Sequence, residues 1–195
     1  YIELDGKKRH ADYQGDKRFV TASTYKLFAA YELLKQIDAG TRSWDNESTC
    51  FNKMISLSDN ACAEAYLDSL GLSTITKDIQ AIGLKNSTFM ISGGPFTTAN
   101  DLSLLLGMVQ SQQNFSSVNR DRLISAMKSN VYRKGIPAGV NGTVADKVGF
   151  LDGLLHDAAI VYSPNGTYVL VIMTDGSSWA TIADLAKQVD NLHAQ

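Results

Sequence analysis

Apolar and polar residues alternate at the start of the chain, Ile2 and Leu4 against Tyr1 and Glu3, until Asp5-Gly6. Alternation ending in that dipeptide predicts a β-hairpin, with a second short strand near His10 to Tyr13. From Ser23 the period changes. Tyr25, Leu27, Phe28, Tyr31, Leu33, Leu34 and Ile37 recur at three- and four-residue steps as far as Gly40, which predicts a largely buried helix. A second helix starts at Ser58-Asp59-Asn60 and runs through Ala61, Ala63, Ala65, Tyr66, Leu67 and Leu70 to Gly71. Shorter helices are expected at about 73–82, 98–110 and 119–129. After Gly142 the pattern reads as strand at 144–150, 158–162 and 168–173, with a turn at Ser163-Pro164-Asn165-Gly166. The chain closes with an amphipathic helix over 179–192, whose stripe is Ile182, Leu185, Ala186, Val189 and Leu192. Strands at both ends of a helical middle predict one sheet assembled from both termini and flanked by helices. The expected organisation is a single α+β domain over 1–195, with an α/β part at 1–40 and 130–195 and a helical lobe at about 41–129.

Composition narrows the function classes. With 195 residues, 44% hydrophobic and 19% charged, the chain is long enough for one well-packed domain. Its 18 basic and 20 acidic residues nearly cancel, and no basic run exceeds Lys7-Lys8-Arg9, so no nucleic-acid footprint is visible. The longest apolar runs, such as 168–173, are far below the roughly 18 residues that span a bilayer. Tyr1 to Gly6 reads as the inside of a folded domain and not as a charged and then apolar leader, so the chain is expected to come from a longer precursor. Cys50 and Cys62 are compatible with one disulfide or two thiols, and the burial tendency of lone cysteines favours thiols. His10, His156 and His193 show no ligand spacing, so neither a metal nor an organic cofactor is expected.

Three short motifs carry the candidate chemistry. Ser23-Thr24-Tyr25-Lys26 opens a helix, and a spacing of three puts hydroxyl and amine on one face. A serine is a weak nucleophile until a neighbouring base takes its proton, and a lysine with a lowered pKa is such a base. Ser58-Asp59-Asn60 reads locally as a helix cap. Functionally it offers a proton-relay hydroxyl at Ser58 and, at Asn60, an amide for substrate and lysine. Lys147-Val148-Gly149 sits on the first late strand, where a glycine would let a substrate backbone lie close to the strand edge. Each motif alone is weak.

In this order the three match the Ser-x-x-Lys, Ser-Asp-Asn and Lys-Thr-Gly set of class A β-lactamases and penicillin-binding proteins. The resemblance extends over nearly the whole chain: Thr21 to Leu27, Ile37 to Gly40, Ser58 to Ala63, Leu70-Gly71, Phe96 to Ala99, Arg122 to Met127, Ile136 to Gly139 and Val144 to Lys147 all look like class A segments. It implies a β-lactamase/transpeptidase-like fold, a five-stranded antiparallel sheet flanked by helices plus a reduced all-helical lobe, with the active site in the cleft between them. It implies Ser23 as nucleophile, Lys26 as base or relay, and Ser58 and Asn60 on the helical wall. Lys147 supplies positive charge to the substrate carboxylate, and the N–H groups of Ser23 and Phe150 form the oxyanion hole. The implied partners are a β-lactam or a peptidoglycan stem peptide, in the bacterial cell envelope.

The sequence also departs from that family's pattern. Val148 replaces a hydroxyl that helps hold the substrate carboxylate. His156 falls roughly where class A enzymes carry a carboxylate-binding arginine, and it is the candidate replacement. The loop from Gly83 to Thr98 holds no Asp or Glu, so the glutamate that positions the hydrolytic water is missing. Glu64, Asp68 and Asp101 lie nearby in sequence but not at the expected place. About 35 residues separate Ser23 from Ser58, a shorter insert than in class A enzymes. The expected activity is therefore a serine acyl-transfer hydrolase acting on β-lactams or D-Ala-D-Ala-type peptides, with slow deacylation. A D,D-carboxypeptidase or transpeptidase, and a non-catalytic β-lactam sensor, are the alternatives.

Overall fold

The computed structural model describes all 195 residues as an antiparallel sheet flanked by helices. The sheet has the order β1-β6-β5-β4, built from β1 (Ile2–Glu3), β4 (Thr143–Leu151), β5 (Leu154–Ser163) and β6 (Gly166–Asp175). The last three strands are rich in buried apolar residues and pair continuously from Thr143↔Tyr162 and from Leu154↔Asp175. A separate ribbon joins β2 (Phe19–Val20) to β3 (Phe96–Thr97).

The resemblance implies five strands in the main sheet, and four form. The return arm of the first hairpin shrinks to one bridge, Ile2↔His10. Its side chains have other partners: Arg9 pairs with Glu3 and donates to the carbonyls of Leu192 and His193 at the end of the last helix. That ties the N-terminal hairpin to a helix C-terminus, where a cation is favoured.

The helices are α1 (Lys26–Asp38), α2 (Trp44–Ser56), α3 (Asn60–Leu70), α4 (Leu72–Ala81), α5 (Ala99–Gln110), α6 (Ser117–Lys128), the single turn α7 (Ile136–Gly139) and α8 (Trp179–His193). Helix α2 has no counterpart in the sequence reading. Its buried residues are Phe51, Met54 and Ile55, so an apolar face exists only in its second half, behind a polar first half. In α8 the stripe is narrower than its pattern: Ile182 and Ala186 are buried, while Leu185 and Leu192 are exposed. One large apolar cluster unites α1 to α6 with Ala145, Ala158, Ile160 and Val169 of the sheet. A smaller one packs α8 on the other face, around Val144, Val161, Tyr168 and Ile182.

Cys50 and Cys62 form a disulfide, against the expectation of free thiols. Helices α2 and α3 are packed neighbours, and the two Cα atoms come within 5.3 Å, a separation the bond spans readily. The bridge closes the segment that carries Ser58.

Candidate active site

Ser23 sits in a tight 3-10 turn, Ala22–Tyr25, that leads directly into α1. Ala22 has a left-handed φ of 43°, a strained conformation for a side-chain-bearing residue. The turn is held by Thr24, whose N–H and hydroxyl both donate to the Thr21 carbonyl. Behind it runs β4, the edge strand. A Cβ added at Gly149 would lie 2.9 Å from the Ser23 nitrogen and the Thr21 oxygen. Gly149 is itself buried. A glycine here admits the turn that carries Ser23, a contact the sequence did not indicate.

At the first residue of α1, Lys26 is fully buried and points at the start of α3. Its Nζ donates to the Ser58 carbonyl at 2.6 Å, the Asn60 Oδ1 at 2.7 Å and the Ser58 Oγ at 3.2 Å. Lys147, equally buried on β4, donates from Nζ to the same Ser58 Oγ at 2.9 Å and to its neighbour's carbonyl, Val148, at 2.8 Å. A single hydroxyl thus bridges two amines that arrive from opposite sides of the cleft. Ser58 also has a left-handed φ, 57°, which costs about 1–3 kcal/mol and persists because its surroundings over-determine it. Asp59 caps α3 through the Cys62 N–H at 2.8 Å, and the disulfide anchors the same turn. Asn60 and Ser23 reach the surface, so the cluster opens to solvent on the hydroxyl and amide side. The Ser23 hydroxyl makes no hydrogen bond within the protein.

Burial is the main reason both amines are easier to deprotonate than a free lysine. Lys26 is pulled down to about 8, with the negative charges of Asp59 and Glu64 opposing the shift. Lys147 is pulled down to about 7 by burial and then by the charge of Lys26, against Asp146 and Asp157. The two amines lie close together in proton affinity, and both donate to the same Ser58 hydroxyl. The pair then offers a base and a cation together.

The opposite face of β4 is built differently. Asp146 is buried against Arg133 and the Asn130 amide, the latter at 2.6 Å. Asp157, on β5, accepts only the Ile136 N–H at 2.8 Å, and its Oδ1 has no partner. Burial raises both carboxyls, and Asp157 further raises Asp146. Since Arg133 and Asn130 stabilise a charge on Asp146, the proton of the pair belongs on Asp157.

His156 is not brought to the cleft. It is fully buried, with Nε2 2.9 Å from the Val20 carbonyl, Nδ1 accepting from the Thr174 N–H and its ring edge-on to Phe19. The β5 position beside Gly149 faces β2, so the side chain joins the sheet to the β2–β3 ribbon. Among the other acids, Asp101 is buried and bonded to Ser87 and the Asn86 N–H. Glu64 is exposed one turn beyond Asn60, and its charge is felt at Lys26 and Tyr25.

The model of the beta-lactamase enzyme family matches residues 1–50 and 48–192. A search of curated protein sequences finds no match. Among solved structures, PBP-A superposes with a TM-score of 0.83 at 24% identity, covering 91% of this chain and 82% of that one. A mutant of PBP-A, in an acyl-enzyme complex with penicillin G, gives 0.89 at 23% over 98% and 87%. A beta-lactamase from Sphaerobacter thermophilus DSM 20745 gives 0.86 at 18% over 99% and 88%.

Proposed function

The chain belongs to the beta-lactamase enzyme family, and from that premise we propose that it is a serine acyl-transfer hydrolase that acylates Ser23 with β-lactams or D-Ala-D-Ala-type peptides and releases the acyl group slowly. The observation that carries this reading is the Ser58 hydroxyl held between two buried amines, beside the turn that presents Ser23. In this mechanism the Ser23 hydroxyl proton passes to the neutral amine of the lysine pair as Oγ bonds to the substrate carbonyl carbon. The N–H groups of Ser23 and Phe150 receive the developing oxyanion, each such donor being worth about 3 kcal/mol. The C–N bond then breaks, and the proton reaches the leaving nitrogen through Ser58. Asn60 holds the acyl side, and the charge of Lys147 draws the substrate carboxylate.

Release needs a water activated by a base, and the segment 83–98 offers no carboxylate. That supports slow deacylation. Val148 in place of a hydroxyl removes one hydrogen bond to a charged group, worth about 1.5–3 kcal/mol, so carboxylate binding is weaker or differently arranged. The PBP-A mutant held as an acyl-enzyme with penicillin G is a precedent for the adduct in a related fold. An extracytoplasmic location follows from such substrates, and no helix here is long and apolar enough to cross a membrane.

The test is intact-protein mass against time after adding benzylpenicillin in modest excess. A long-lived adduct on wild type, absent from Ser23→Ala, is the expected result. An adduct that survives Ser23→Ala overturns the serine mechanism, and rapid drug consumption with no persistent adduct overturns slow release.

A further inference from the structure

The hydroxyl that meets both amines stands on a turn that apolar packing does not hold. From Ser56 to Ala61 no side chain is buried, and Leu57 is 49% exposed. Buried residues resume only on either side, at Met54 and Ile55 in α2 and at Cys62, Ala63 and Tyr66 in α3. Ser58 nevertheless keeps a left-handed φ of 57°, which a turn free to move would relax. Backbone bonds fix the near half: the Leu57 and Asp59 N–H groups both donate to the Lys53 carbonyl, and the Ser56 carbonyl accepts from the Val131 N–H. On the far side the Asp59 carboxylate accepts from the Cys62 N–H, a bond local to the first turn of α3.

Much of the remaining hold comes from the amines themselves. Lys26 donates to the Ser58 carbonyl, the Ser58 Oγ and the Asn60 Oδ1, and Lys147 donates to the Ser58 Oγ. An ammonium has three hydrogens to donate, so a Lys26 that has given up its proton can no longer serve all three oxygens. The grip of the lysines on this turn therefore changes during proton transfer, when the Ser58 hydroxyl has to stay in line with the leaving nitrogen. Only a tie that does not titrate keeps the turn in register throughout.

The disulfide is such a tie. Cys62 lies one helical turn beyond Ser58, and Cys50 lies in α2, one turn before the buried Met54. The bridge therefore fastens the start of α3 to a well-packed helix across the unpacked turn. A second link between the two helices, from the Tyr66 hydroxyl to the Glu47 carbonyl, sits a further turn away on each and is less direct. Resting on the acyl-transfer reading, we propose that Cys50 and Cys62 are positioning residues for that reaction, their bridge holding the Ser58 hydroxyl in line to protonate the leaving nitrogen while the amines change protonation state.

The test compares wild type with Cys50→Ala/Cys62→Ala on two acyl donors, benzylpenicillin and the thioglycolate thioester of phenylacetylglycine. A lactam nitrogen leaves with a proton, whereas a thiolate leaves without one, so only the first donor depends on Ser58 as the relay. Acylation rates are read by intact mass of quenched samples. The variant is expected to acylate about tenfold more slowly with the penicillin and less than about twofold more slowly with the thioester. The ratio of the two rates is independent of the fraction folded, so it survives a destabilised variant. Equal slowing of both donors, or slowing of neither, overturns the positioning role. A second measurement needs no substrate: backbone hydrogen exchange is compared across residues 57–62, with strand β4 as the internal reference. Several-fold faster exchange confined to 57–62 in the variant supports the clasp even if neither donor acylates wild type, an outcome that overturns the acyl-transfer reading instead. Unchanged exchange at 57–62 overturns the clasp even if both donors react.

Discussion

The two faces of β4 bury comparable charge and treat it in opposite ways. On one face Lys147, with Lys26 reaching across, meets only neutral oxygens: a hydroxyl, two carbonyls and an amide. On the other face Asp146 meets the full charge of Arg133. The amines give up a proton near neutrality, and Asp146 is also pushed up to about 8 by burial although Arg133 opposes that shift. Burial moves the groups on both faces toward neutrality, and the partners set how each is held.

Breaking the Asp146 face has the largest expected effect. Arg133→Ala leaves Asp146 buried without its cation, and the loss in stability is about 3 kcal/mol, checked by urea unfolding at pH 7.5. Stability within about half a kcal/mol of wild type would show that Asp146 is not ionised there. Next comes the contact between the strand and the nucleophile turn. In Gly149→Ala the new methyl group pushes on the Ser23 and Thr24 nitrogens, and a displacement of about 1 Å lowers the acylation rate about a hundredfold while the circular dichroism is retained.

The lysine face is sharpened by pH. Below about 7 both lysines carry a proton and no base remains, and above about 8 neither does and no cation remains. The acylation rate therefore rises through about 7 and falls through about 8, and a profile flat across the neutral range would refute this pairing of base and cation. The smallest effect belongs to Glu64→Gln. Glu64 favours the charged form of Lys26, so removing it moves the alkaline limb downward, by about 0.3 of a pH unit or less for an exposed and screened charge. An upward movement would contradict the sign.

Legibility followed the range of the forces involved. The strands of the late meander and helices α1 and α3 to α6 announced themselves by period, because each has a buried face along its whole length. Helix α2 did not, since only Phe51, Met54 and Ile55 mark it and its first turns are polar. The return arm of the first hairpin pairs with β1 only around His10, a length the alternation near His10 to Tyr13 does not fix. His156 was misplaced for a related reason: its distance in sequence from Lys147 suits a site residue, and only the strand pairing shows that it turns toward Val20. The disulfide was equally invisible, because Cys50 and Cys62 meet only through the packing of α2 on α3.

By itself the sequence determined the three motifs, the elements that carry them, the absence of a carboxylate at 83–98 and the apolar character of Val148. These are properties of residue type and of periods within one element, which local physics settles. Only the tertiary structure decided that Ser58 bridges two amines, that Gly149 packs against the turn carrying Ser23, and that Val148 and Phe150 join Tyr132 and Trp179 around one hollow. Those relations join residues far apart in the chain, and whether a hydroxyl is a proton path or a solvated cap depends on what burial and packing bring within hydrogen-bonding distance of it.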